Sequence, residues 1–138
     1  MAAAQRALAY RPADAQPARP LLSPAGALDL GAVHAALEAA DVAAEGGRYL
    51  DGAPVFVGSV IFDIAAPDAD AARRAMARDP RVLEAVRGHV HRAVSRLLGP
   101  DTPAALDVEL RIAPHGRGLR LTADVEGALE AEAVSASR

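Results

Sequence analysis

The spacing of apolar residues divides the chain into helical and extended stretches. Leu30, Val33, Leu37, Ala40 and Ala44 recur every three or four residues, which predicts a helix from about Leu30 to Ala44. Asp29 stands where an N-cap belongs, and Gly46-Gly47 stands where a helix leaves through left-handed backbone. After a turn at Asp51-Gly52, the segment Val55–Ile64 (VFVGSVIFDI) reads as a strand rich in β-branched and aromatic residues. One of its faces carries Phe56, Gly58, Val60, Phe62 and Ile64; the other carries Val55, Val57, Ser59, Ile61 and Asp63. Both faces are mainly apolar, so the second one calls for a cover or a partner.

Two helices follow. Asp68 is placed to cap one from about Ala69 to Arg78. Asp79-Pro80 restarts the chain into a second that runs to Leu98, where Gly99-Pro100 closes it. Val82, Val86, Val90, Val94 and Leu97 trace the apolar stripe of this second helix. A hairpin ends the pattern. Leu106, Val108, Leu110 and Ile112 alternate with charged residues, and after the turn Pro114–Gly118 Leu119, Leu121, Ala123 and Val125 alternate with Arg120, Thr122, Asp124 and Glu126. Strict alternation of this kind makes one buried face and one wet one.

Residues 1–28 break both periodicities. Pro12, Pro17, Pro20 and Pro24 recur among alanine and arginine, and proline fixes φ and removes a backbone donor. This stretch reads as an arm, either a disordered tail or an extended segment whose Leu21 and Leu22 dock on a neighbouring subunit. The division is then an arm at 1–28, an α+β domain at 29–127 and a tail at 128–138. A strand joined through helices to a later strand favours a parallel crossover, while the last two strands pair antiparallel. The expected fold is a two-layer α+β sandwich: a small mixed sheet of three to four strands, helices on one face and an extended N-terminal arm.

Composition narrows the chemistry. The 138 residues include 35 alanines and no cysteine, so disulfides, cysteine nucleophiles and cysteine-ligated metals are excluded. No apolar run reaches the roughly 20 residues of a membrane span. The N-terminus lacks the basic-then-apolar order of a signal peptide, and the expected location is cytoplasmic or particle-associated. The net charge is −3, unevenly spread: residues 67–99 carry seven arginines against four acids, while residues 29–66 carry one against six. With no aromatic residue inside the basic stretch, nucleic acid is disfavoured as a partner.

Candidate chemistry is sparse. His89 and His91 sit two positions apart on a helix, where their rings diverge by about 200°, and no acid or cysteine completes a metal shell. His115 lies in the turn before Gly116-Arg117-Gly118, whose two glycines are expected to take positive φ and whose amides, with Arg117, offer a possible anion contact. Ser59 has Asp63 on its own face but no placed histidine. Asp63 reads either as a carboxylate exiting into solvent or as one with a raised pKa. The arginines Arg73, Arg74, Arg78, Arg81, Arg87, Arg92 and Arg96 read as a solvated helix face with pairs such as Arg81–Glu84, or as a guanidinium surface for phosphate or an acidic partner.

No catalytic set, metal site or cofactor motif emerges. An enzyme would need His89 or His115 to meet Asp63 or Asp51 in space. What remains is surface. The sequence favours a non-enzymatic assembly subunit, a homo-oligomer or part of a larger particle, with partner contacts at Leu21, Leu22, Val55, Val57 and Ile61. Over about residues 29–126 the order helix, strand, helix, strand, strand is similar in outline to tail-terminator and connector proteins of tailed phages, a resemblance that implies a structural role in a particle. The alternative is a small-molecule-binding or regulatory domain with a pocket between the helices and the Phe56/Phe62 face.

Overall fold

Val55–Ala65 becomes the central strand of a five-stranded sheet. The computed structural model describes residues 3–11, 19–49 and 55–129. In chain order the elements are β1 (Ala3–Tyr10), α1 (Leu30–Glu38), β2 (Asp41–Tyr49), β3 (Val55–Ala65), α2 (Ala69–Arg78), α3 (Arg81–Leu98), β4 (Asp107–His115) and β5 (Gly118–Ala128). The strands lie in the order β1-β2-β3-β5-β4, and every neighbouring pair is antiparallel. The turn at Asp51-Gly52, the middle of the arm and the tail from residue 130 lie outside the described residues.

The α+β class and the helices on one face stand, but the sheet departs from expectation three times. It has five strands rather than three to four, because the segments Ala3–Tyr10 and Asp41–Tyr49 are strands as well. The beginning of the expected arm is an edge strand, with Ala3 to Tyr10 running in register against Tyr49 to Val42. It is also antiparallel throughout rather than mixed. β3 and β4 do run in the same direction across the α2–α3 crossover, yet β5 slots between them. Two helices make a connection wide enough to step over one strand.

The helix expected to reach Ala44 stops at Glu38, and two residues later the chain is extended. Asp29 caps α1 as expected, its Oδ1 accepting the Ala32 N–H at 3.1 Å. Gly46-Gly47 is therefore no helix exit but part of β2. Gly46 pairs with Gly58 across the β2–β3 ladder, and the Phe56 ring lies over both. A Cβ on Gly58 would stand 2.7 Å from Phe56 Cζ and would overlap the Glu45 carbonyl oxygen; one on Gly46 would overlap the same ring. The glycines are there to give the ring room.

Alternate residues of the strands face the helices. Phe56, Val60, Phe62, Ile64, Leu119, Leu121, Ala123 and Val125 meet Val33 and Leu37 of α1, Met76 of α2 and Val82, Val86, Val90 and Val94 of α3 in one core. Val42 and Ala44 of β2 complete it beside β1, where Leu8 and Tyr10 pack at the edge. Among the described residues no helix lies on the opposite face of the sheet.

Glycine substitutions separate these roles. Gly58→Ala is expected to cost about 1–3 kcal/mol in urea unfolding, because the ring or the backbone has to shift. Gly88, exposed on α3 with open space around its Cα, should gain about 0.5–1 kcal/mol on replacement by alanine.

Candidate functional site

Two surfaces carry unusual arrangements: the uncovered sheet face, and a cleft between α3 and the first strands. The expected contact residues lie unevenly between surface and core. Leu21 is fully buried in the core of its own chain, and Leu22 is half-buried. The Leu21 and Leu22 N–H groups donate to Asp68 Oδ1 and Oδ2 at 3.0 and 2.9 Å. Asp68 stands at the N-cap position of α2, but its carboxylate is spent on this segment and makes no cap bond. Leu21 thus has no surface left to offer a neighbour; it is an internal anchor.

Val55, Val57 and Ile61 do project from the uncovered face, and Val57 is 40% exposed. Around them the face is acidic, with seven carboxylates and only Arg111 and Arg120 projecting from β2 to β5. Asp107 lies directly opposite Glu126, and Glu109 opposite Asp124. Like charges facing each other across a ladder are destabilising. Arg111 relieves one of these pairs by bonding Asp124 at 3.2 Å.

At the far end of this face Asp63 is neither free in solvent nor raised in pKa. Both its oxygens accept from Arg120, at 2.7 and 3.0 Å, and this bonding holds its carboxyl below the ordinary value of 3.8. His115 Nε2 stands 3.8 Å from Asp63 and 3.3 Å from Arg120 Nη2. A guanidinium can only donate, so this nitrogen accepts. The enzymatic pairing of His115 with Asp63 is therefore close in space, but the carboxylate is saturated by Arg120. Arg117 is exposed at the hairpin tip. Of the two turn glycines only Gly116 has positive φ, at 58°, as a type II′ hairpin needs; Gly118 is required for space, since its Cβ would overlap the Ile64 carbonyl oxygen.

On the helical side the polarity reverses, with seven arginines against three carboxylates in α1 to α3. Several arginines have structural duties. Arg87 Nη1 donates to the Leu106 carbonyl at 2.7 Å, and Arg81 pairs with Asp79 at 2.7 Å rather than with Glu84. The histidines of α3 diverge as expected: His91 bonds the Pro103 carbonyl, while His89 is buried and meets His34 at 3.1 Å. Burial first, and neighbouring Arg92 second, push the His89 imidazole below its ordinary 6.5. Among the described residues no group of three or more histidines, acids or cysteines could hold a metal.

His89 forms one wall of a cleft of about 420 Å³. Leu37, Val42 and Phe62 supply its apolar lining, and three guanidiniums reach its rim. Arg11 is held in a bidentate pair with Asp41 at 2.8 and 3.2 Å. Arg92 reaches Glu38 at 3.4 Å. Arg96 has no carboxylate partner among the described residues; it stacks over the Tyr10 ring, 4.3 Å from the centroid. Phe62 lines this cleft, whereas Phe56 sits with the glycines away from it. The missed signal was the presence of Arg92 and Arg96 one helical turn apart beside His89; what it lacked was β1 and β2 to complete the site.

No protein-family model matches the chain, and no curated protein and no solved structure matches it either. The observed order also adds two strands to the outline on which the phage resemblance was drawn, so that likeness carries no argument. Among the described residues no helix is long and apolar enough to cross a membrane.

Two pH windows follow from these groups. The unfolded chain takes a proton at His89 that the folded chain refuses, so stability should fall as pH drops below about 6.5 and then level off. His89→Gln should flatten that step. The Asp63 pair contributes above pH 3.8 and is lost as pH falls through the lowered folded value; Asp63→Asn should cost about 0.5–1 kcal/mol at pH 7 and nothing below that window. Urea midpoints between pH 8 and pH 2 measure both. Separately, Asp68→Ala should cost about 1–3 kcal/mol, because two inward N–H groups lose their acceptor.

Proposed function

We propose that the protein is a non-enzymatic assembly subunit that docks head to tail with copies of itself, the acidic sheet face of one copy receiving the arginine-bearing helical layer of the next. The observation that carries this reading is the opposite charge of the two faces, combined with Val57 exposed at the centre of the uncovered one. Two sheet faces meeting about a two-fold axis would set acids against acids. A heterologous contact matches them with arginines instead, and such a contact closes into a ring or continues as a filament. Arg78, on the exposed side of α2 with no ion pair among the described residues, is the guanidinium most available for it.

The size is adequate. Five strands about 4.8 Å apart and about nine residues long cover roughly 24 by 30 Å, or about 700 Å², close to the ~800 Å² per partner of a stable interface. Glu109 and Glu126, both exposed and both facing another carboxylate, gain most from an incoming arginine.

Light scattering coupled to size exclusion tests this on the full chain. Expected is a mass that rises with concentration in 50 mM salt and falls toward the monomer in 500 mM salt, as screened charges require. Glu126→Arg should weaken the assembly while leaving the fold at least as stable, since it places opposite charges across from one another at Asp107. Combining it with Arg78→Glu should restore association in part. A strict monomer at high concentration and low salt refutes the reading.

A further inference from the structure

The cleft shares Arg92 and Arg96 with the arginine-bearing helical layer, but its apolar lining points to a smaller ligand than a second copy of the chain. We propose that it is a binding site for a small organic anion, a carboxylate or phosphate attached to an apolar body, with Arg96 and Arg92 taking the anion and Phe62, Val42 and Leu37 receiving the body.

Four observations carry the assignment. At about 420 Å³ the cleft falls in the range of small-ligand sites, which bury most of such a ligand and present a few placed polar groups. Its lining sets the apolar side chains of Leu37, Val42 and Phe62 beside the guanidiniums of Arg11, Arg92 and Arg96. The guanidiniums are graded in availability. Asp41 occupies Arg11 through two bonds, Glu38 holds Arg92 through one bond at 3.4 Å, and Arg96 rests on the Tyr10 ring alone. Stacking on Tyr10 fixes the plane of Arg96 while leaving its N–H edge free to meet a carboxylate or phosphate in bidentate fashion. Lastly, the site is assembled from five separate elements, since Tyr10 and Arg11 come from the end of β1 and the residue after it, and the others from α1, β2, β3 and α3. A solvated helix face needs no such convergence.

The ligand is limited by the same features. One anionic group suffices, because among the described residues Arg92 and Arg96 are the cations at the rim not already bound in a bidentate pair. Apart from Tyr10 beneath Arg96, the apolar lining is Leu37, Val42 and the ring of Phe62, which suits a compact aryl or short aliphatic body rather than a dinucleotide-sized cofactor.

Isothermal titration calorimetry on the full chain, with benzoate, phenyl phosphate and benzyl alcohol as probes, tests the site. Saturable 1:1 binding of benzoate or phenyl phosphate is expected, with benzyl alcohol at least tenfold weaker, and the tighter of the two anions names the preferred head group. Arg96→Gln should weaken the bound anion at least tenfold, and Arg92→Gln should do so to a lesser degree. Arg111→Gln, on the opposite face, should leave binding unchanged. Thermal unfolding of each variant establishes that it is folded, and amide NMR shifts on adding the anion should centre on α3 and the Tyr10–Val42 region. No binding of either anion, equal binding of benzyl alcohol, or unaltered affinity in folded Arg96→Gln would overturn the assignment. Repeating the titration at low salt on the Glu126→Arg variant separates the two readings, since that substitution weakens the assembly and lies outside the cleft.

Discussion

The close approach of β2 and β3 at Gly46 and Gly58 is the constraint on which the rest of the structure depends. A core with two phenylalanines and many alanines has few large side chains with which to fill the space between a sheet and three helices. Phe56 can reach across both strands because the two glycines beside its ring present no side chain there. That places β3 deep in the molecule, with Phe62 and Val60 under α1 and α3. Enlarging either glycine would lift the ring and loosen contacts far from it, since close-packed interiors pass on small displacements.

Those elements whose hydrophobic period was carried by large residues could be read from the sequence. The central strand, α2 and α3 fall within one or two residues of their expected bounds, and the strands of the final hairpin each run about three residues further than expected. The first two strands could not be read, and alanine is the reason. In β2 the inward positions are Val42, Ala44 and Gly46, so nothing in the segment contradicts a helical stripe through Ala40 and Ala44. The residues of β1 (AAQRALAY) alternate only weakly, with Leu8 and Tyr10 as the inward pair. Their strand state is imposed by pairing with partners more than thirty positions away, which no local window contains.

The functional surfaces were legible in a complementary way. Period-two alternation identified Val55, Val57 and Ile61 as outward-facing, and this depends on backbone geometry alone. Leu21 and Leu22 were correctly singled out as apolar points in a polar stretch, but only the position of Asp68 decides that they are bound by their own chain. The arginine cleft was hidden for a different reason. Arg92 and Arg96 look like any solvated helix face until Tyr10 and Phe62 are brought beneath them, and that requires the strand order of the whole sheet.

The insertion of β5 between β3 and β4 also governs how the chain can fold. The β2–β3 and β4–β5 pairs join segments close in sequence, and each can form early. The β3–β5 seam joins residues from 53 to 73 positions apart, so closing it carries the largest loop entropy of the central pairings. Two half-sheets must therefore meet along one line, with α2 and α3 arriving over the joint. A slip of one residue along that line would turn Arg120 and Asp124 toward the core and Leu121 and Ala123 toward water. The Asp63–Arg120 ion pair and the alternation of β5 thus act as a registration key, making the wrong alignment of the two halves too unfavourable to persist.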